Sequence, residues 1–311
     1  MARAGAERDM PAAPESGFHR ALPHERWLMQ AFHDKRAGRN SSPPIAPAWM
    51  RAFGLDPGDG TWFVVQPVHL HIARDHLVLT DPRQLTLSEQ ESRVLFDIAA
   101  PLFAEYDKHL RDGNSGTWFV RADAWNELDT ASPDAAAGHN IDIWMPHGPA
   151  ARDWRKVQNE VQMHWHGHAI NEAREARRAK PVNSLWLWGG APADAMPASH
   201  YTATFNLSGW MQSFTLAPPS SPAQAATASA VIATRPQHGL ALLDTLLEPA
   251  LANDWSRWLD GMHALEEKWF SPLLQALRNG ALDQLSLIAT HDAGLVRFAA
   301  SRLSLRKFWV K

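Results

Sequence analysis

The stretch from 164 to 190 concentrates side chains that can do chemistry: His164, His166 and His168, then Asn171, Arg174 and Asn183, then Gly189 and Gly190. Imidazoles ligate metals and move protons, but a metal needs several of them to converge. Residues i, i+2 and i+4 converge on a strand, whereas on a helix only i and i+4 do. The run "RDWRKVQNEVQMHWHGH" has helical periodicity. It predicts Trp154, Val157, Val161, His164 and His168 on one side and Asn159, Gln162 and His166 on a second, polar side. His164 and His168 are then the metal-ligand pair, and their ordinary alternative is a pair of packed, hydrogen-bonded histidines. In "NEAREARRAK", Asn171 stands where it can cap a salt-bridged helix, with Arg174 one turn on. Such a pair can hold an anion jointly with the free N–H groups of the helix start. His166, His168, Asn171, Arg174, Asn183, Gly189 and Gly190 are therefore the candidate ligand-binding set. "THDAG" at 290–294 follows a strand and offers His291 and Asp292 as further metal ligands at its C-terminal edge.

These residues need elements to position them. "HERWLMQAFHDKR" and "PAWMRAFGL" read as short helices, the second stopped by Gly54. "TWFVVQPVHLHI" and "HLVLT" form a hairpin pattern, with Asp75 in the turn. In "SEQESRVLFDIAAPLFAEYDKHL", Ser88 and Glu91 form a capping box ahead of an amphipathic helix. "GTWFVRAD" is a strand. "PVNSLWLWGG" is a continuous apolar strand running into a glycine turn, the pattern of a parallel sheet. "VIATR" and "LSLIAT" read as strands, and "LSLRKFW" closes the chain. "NDWSRWLDGMHALEEKWF" reads as a helix with Trp255, Trp258, Leu259, Met262, Leu265 and Trp269 inward, and Asn279–Gly280 ends the helix that follows. Alternation of strands and helices after residue 150 points to a doubly wound α/β sheet. Residues 1–46 read as a disordered or divergent segment, 47–57 and 151–311 as the α/β core domain, and 58–150 as a small inserted α+β subdomain.

Composition narrows the chemistry. The 311 residues carry a net charge of −3 and no basic stripe, which argues against nucleic acid as a partner. There are no cysteines, so thiolate catalysis, disulfides and Cys-ligated metals are excluded. The N-terminal residues lack the apolar core of a secretory signal, and no run of about 18 apolar residues exists, so a cytoplasmic protein with no membrane span is expected. No phosphate loop, dinucleotide fingerprint, nucleophile elbow or EF-hand pattern occurs.

His168-x-x-Asn171-x-x-Arg174, Lys180-Pro181-Val182-Asn183 and the strand ending Gly189-Gly190 together resemble a passage of the archaeal-type cofactor-independent phosphoglycerate mutases. The order of Pro67–Leu70, Arg74–Asp81, Asn159–Gly190 and Trp269–Leu287 resembles more closely a bacterial group described as regulatory proteins of the RpfE type. The resemblance spans about residues 47–311. It implies an alkaline-phosphatase-type α/β sheet with an inserted subdomain.

The departures concern catalysis. Members active as mutases bind two divalent metals through an early Asp, a nucleophilic Ser and later Asp and His residues. This chain shows no early Asp-Gly strand and no Ser in a nucleophile context. "THDAG" has the late position with altered order. Arg74 alone stands near the place of the family's substrate-gripping arginines, and His164 replaces an apolar residue of the pattern. The expectation is a non-catalytic, mutase-like pseudoenzyme that binds a phosphorylated small molecule or a protein partner and needs no cofactor. The competing expectation is a phosphoglycerate mutase or phosphatase using Mn or Mg at a rearranged site.

Overall fold

The computed structural model describes residues 18–32, 39–198, 200–214, 224–291 and 294–304. The described residues divide into two compact units, one within residues 18–198 and the other from residue 200 onward. The first holds α1 (Pro23–Ala31), α2 (Ala46–Ala52), β1 (Thr61–Val68), β2 (Leu70–Ala73), β3 (His76–Leu79), α3 (Glu89–Ala104), β4 (His109–Asn114) and β5 (Thr117–Arg121). It continues with α4 (Pro133–Ala136), α5 (Ala151–Trp165), α6 (Ala169–Ala176) and β6 (Ser184–Pro192).

The tryptophan-rich runs are the strands of one four-stranded sheet, ordered β4-β5-β1-β6. Val64 lies opposite both Phe119 of β5 and Trp188 of β6. Alternate residues face opposite sides. Phe63, Val65, Trp118, Val120, Leu185 and Leu187 pack with Leu95, Phe96 and Phe103 of α3 and Trp154, Val157 and Trp165 of α5. On the other face, Trp49 of α2 meets Trp188 and Phe119 edge-on, with ring centroids 6.0 and 6.2 Å apart. The mixed α/β architecture, a central sheet with helices against it, is the one expected.

Two expectations are corrected. Every pairing in this sheet is antiparallel, where the apolar strand was read as parallel. The unbroken apolar runs report burial on both faces, whatever the strand direction. Residues 58–150 are also not a separate insert. β1 and β5 from that range share the sheet with β6, and the division falls near 198.

Local signals read from sequence hold well. Ser88 and Glu91 close the capping box, Oγ accepting from the Glu91 N–H at 3.3 Å and the Ser88 N–H reaching Oε2 at 3.0 Å. Gly54 and Gly280 take the left-handed conformation that ends α2 and the last helix.

The second unit contains β7 (Ala203–Phe205), α7 (Ala228–Thr234), β8 (Gly239–Ala241), α8 (Leu247–Leu251), α9 (Trp255–Leu265), α10 (Ser271–Asn279), β9 (Gln284–His291) and β10 (Gly294–Ser301). β7 and β8 form a parallel pair, and β9 and β10 an antiparallel hairpin. "VIATR" is not a strand but the end of α7, because Thr227 caps the segment and its hydroxyl accepts from the Ala230 N–H. Leu265 and Trp269 are buried as expected, but Trp255 and Leu259 are exposed. The N-terminal residues 1–17 and most of "LSLRKFW" lie outside the described residues. Among the described residues, no helix is long and apolar enough to cross a membrane.

Candidate functional site

The 164–190 passage begins where α5 ends at Trp165. Gly167, at φ +67°, turns the chain, and His168 caps α6 by accepting the Ile170 N–H on Nδ1 at 3.3 Å. This overturns the placement of His164 and His168 on an apolar stripe. The helical projection fails beyond the point where the helix stops. The buried stripe is Trp154, Val157, Gln158, Val161 and Trp165, while His164 and His166 are exposed.

Asn171 does not cap a helix start. It is buried inside α6, where its amide donates to the carbonyls of Trp165 and Val182 at 3.0 and 2.9 Å and accepts the Val182 N–H at 2.8 Å. It thereby ties the end of α5 to the approach to β6. Arg174 is 0% exposed. Its Nε donates to the Lys180 carbonyl at 2.7 Å, Nη1 to Glu91 Oε1 at 2.9 Å and Nη2 to the Leu85 carbonyl at 2.5 Å. All three nitrogens are engaged inside the protein, so the expected anion grip by Arg174 is corrected to a buried latch between α6 and α3. Arg177 pairs with the same Glu91 oxygen. Partial burial pushes the Glu91 carboxyl up, but the Ser88 N–H and hydroxyl, Arg177 and Arg174 together outweigh it and hold the pKa at about 2.

Asn183 clamps one residue, Leu70. The Leu70 N–H donates to Oδ1 at 2.8 Å, and Nδ2 donates to the Leu70 carbonyl at 2.7 Å. The glycine pair is not a turn after the strand but a bulge within it. Trp62 pairs with Ala191 and Val64 with Trp188, which leaves Gly189 and Gly190 opposite Phe63. Gly189 has φ +73°, and a Cβ on Gly190 would fall 2.2 Å from the Phe63 ring. The Gly189 N–H donates to Ser42 Oγ at 2.9 Å, and its carbonyl accepts the Ile45 N–H at 3.1 Å. Beside the bulge lies a shallow depression lined by Arg39, Ser42 and Leu128 among others.

His291 ends β9 and pairs with Gly294 across the hairpin, and Asp292 lies outside the described residues. His291 therefore sits at the end of a hairpin strand in the second unit, whereas His164 and His168 belong to the first. Among the described residues no group of three or more His, Asp or Glu is placed to hold a metal ion.

The sequence reading passed over another histidine pair. His69 and His71 flank Leu70 where β1 passes into β2, and their rings lie nearly parallel, 12° apart, with centroids 6.1 Å apart. His69 Nδ1 bonds the Pro181 carbonyl at 2.8 Å, and His71 Nδ1 meets Thr80 Oγ1 at 3.3 Å. The signal was present as His-x-His in a β-rich run, the spacing that converges on a strand.

No family model matches the chain. A 2,3-bisphosphoglycerate-independent phosphoglycerate mutase of Methanothrix thermoacetophila is 31% identical over 68 residues, covering 22% of this chain and 17% of that protein. The match thus spans under a fifth of that relative's length. Among solved structures, the cofactor-independent phosphoglycerate mutase from Thermoplasma acidophilum has a TM-score of 0.38 at 14% identity, covering 89% of this chain and 81% of that one. The PH0037 protein from Pyrococcus horikoshii has a TM-score of 0.46 at 11% identity, covering 89% and 72%.

Proposed function

We propose that this chain is a phosphoglycerate-mutase-like protein of the RpfE regulatory type that acts in the cytoplasm by binding a partner. On this reading the mutase-like passage has kept its architectural role and not its catalytic one. One observation carries the proposal. Asn171, Arg174 and Asn183, three of the polar residues on which the resemblance rests, direct their side chains to backbone groups or Glu91 inside the protein. Groups engaged in this way hold the fold and do not face a substrate.

The test is phosphoglycerate mutase and phosphatase turnover by purified protein supplied with Mn²⁺, Mg²⁺ or Co²⁺. The expected result is a rate no higher than that of a protein-free blank. Turnover that depends on the added metal and on His166 or His291 would overturn the proposal and restore the rearranged-site enzyme.

A further inference from the structure

We propose that His69 and His71 form a two-imidazole binding site for a borderline divalent cation such as Zn²⁺, Ni²⁺ or Cu²⁺, at the root of the β2–β3 hairpin. The inference is independent of the regulatory reading above.

The argument begins with the backbone. Residues two apart on an extended chain project to the same side, so His69 and His71 share a face. Leu70 between them is fixed at both its N–H and its carbonyl by the Asn183 amide. The His69 carbonyl accepts the Thr80 N–H at 3.0 Å, and β2 pairs with β3 from Leu70 onward. Both Cα positions are therefore held by hydrogen bonds made in the absence of a ligand, the preorganisation that a chelating pair needs.

The hydrogen bond at His69 also leaves its other ring nitrogen free for ligation. A carbonyl can only accept, so the proton of neutral His69 lies on Nδ1, donated to Pro181, and the lone pair lies on Nε2. Metal-bound histidines characteristically donate their other ring N–H to a backbone carbonyl or similar acceptor. Nearby positive charge opposes a cation only weakly. Arg174 is paired with Glu91, and Lys180, bonded to Gln84, is exposed and screened by solvent. An ion about 2.0–2.1 Å from both Nε2 atoms draws two ring centroids to roughly 5–6 Å, close to the spacing present. Exposed His71, held by one hydrogen bond to Thr80, can supply the remaining rotation. Imidazole pairs favour Zn²⁺, Ni²⁺ and Cu²⁺ over Mg²⁺, which prefers oxygen ligands.

The experiment is calorimetric titration of tag-free full-length protein with Zn²⁺, Ni²⁺ and Cu²⁺, and with Mg²⁺ as the hard-cation control. The expected result is one site per chain for the borderline ions and none for Mg²⁺. His71→Ala weakens that site roughly a hundredfold, because it removes one of two linked donors, and His69→Gln weakens it similarly. His164→Ala and His166→Ala leave it unchanged. Absence of binding by all three borderline ions overturns the proposal. So does binding that survives His71→Ala or vanishes in His166→Ala, which moves the ion to the exposed α5–α6 histidines. His69→Gln could disturb the Pro181 contact and fail to fold, but His71→Ala removes an exposed ring and a single 3.3 Å hydrogen bond to Thr80, and it decides the matter by itself.

Discussion

Arg174 shows how a residue chosen for its charge can be structural. Its guanidinium serves two carbonyls and one carboxylate at full burial. Removing it strands the Lys180 and Leu85 carbonyls, while Glu91 keeps Arg177 and Ser88, so Arg174→Met is expected to cost about 2–4 kcal/mol, at about 1–3 kcal/mol for each buried acceptor left unpaired. Arg174→Lys should recover little, since one ammonium cannot reproduce a planar fork. Urea midpoints at constant slope measure both variants, and a loss below about 1 kcal/mol would show that the latch is dispensable. Two carboxylates give stability opposite pH dependences. Glu91 titrates at about 2 in the fold against an ordinary 4.5, so its contribution is present above 4.5 and is lost as pH falls toward 2. Glu25 is fully buried. Its Oε2 accepts from Ser132 Oγ and the Leu22 N–H, at 2.8 and 2.7 Å, while Oε1 has no partner among the described residues. Burial and then the nearby Asp134 raise its pKa from 4.5 to about 8, against the two hydrogen bonds. The fold therefore binds the extra proton between those values, and stability falls as pH rises from 4.5 to 8. Glu25→Gln should flatten that decline, as read from urea unfolding at a series of pH values. A variant with the same pH slope as the parent would remove Glu25 as its cause.

At the scale of elements, the parts written in local code were legible and the parts written in distant contacts were not. The capping box at Ser88 and the glycine stops at 54 and 280 depend on residues a few positions apart, and they are where the sequence puts them. The helix α5 ends at Trp165 ahead of Gly167, one residue inside the pattern projected as helix, and that small shift takes His166 and His168 off the projected face. Two of the three partners of Arg174 lie in α3 and its approach, more than 80 positions away, and no local pattern announces them. The glycine pair was legible as special but not in its role, because a turn and a bulge both call for Gly. Its role rests on Phe63, which occupies the space that a Gly190 side chain would need. Gly190→Ala is expected to destabilise by about 1–3 kcal/mol through overpacking. Phe63→Leu carries its own cavity cost, but in that background the Gly190→Ala penalty should shrink. A double-mutant cycle reads this as a coupling energy, and additive losses would mean that the bulge and the ring are independent.

At the scale of the whole molecule, the division of the chain follows from which strands hydrogen-bond. A boundary at 58 and 150 would place β1 and β5 in one domain and β6 in another, yet β1 pairs with both. The sheet, the helices α3 and α5 that cover one face, and α2 on the other all lie between residues 18 and 198. So do the latch of Arg174 on Glu91 and the clamp of Asn183 on Leu70. A segment that contains its own sheet and both covering layers satisfies the condition for independent folding. The fragment 18–198 is therefore expected to unfold in one cooperative transition and to keep the near-ultraviolet signal of its packed tryptophans. The fragment 58–150 lacks β6, α5 and α2, so one face of its sheet loses α5 and the other loses α2. It is expected to be aggregated or unfolded. Parallel expression of the two, followed by urea unfolding monitored by tryptophan fluorescence and circular dichroism, distinguishes these outcomes. A cooperative 58–150 fragment would show that the pairing of β1 with β6 is not needed for that range to fold and would restore the inserted subdomain.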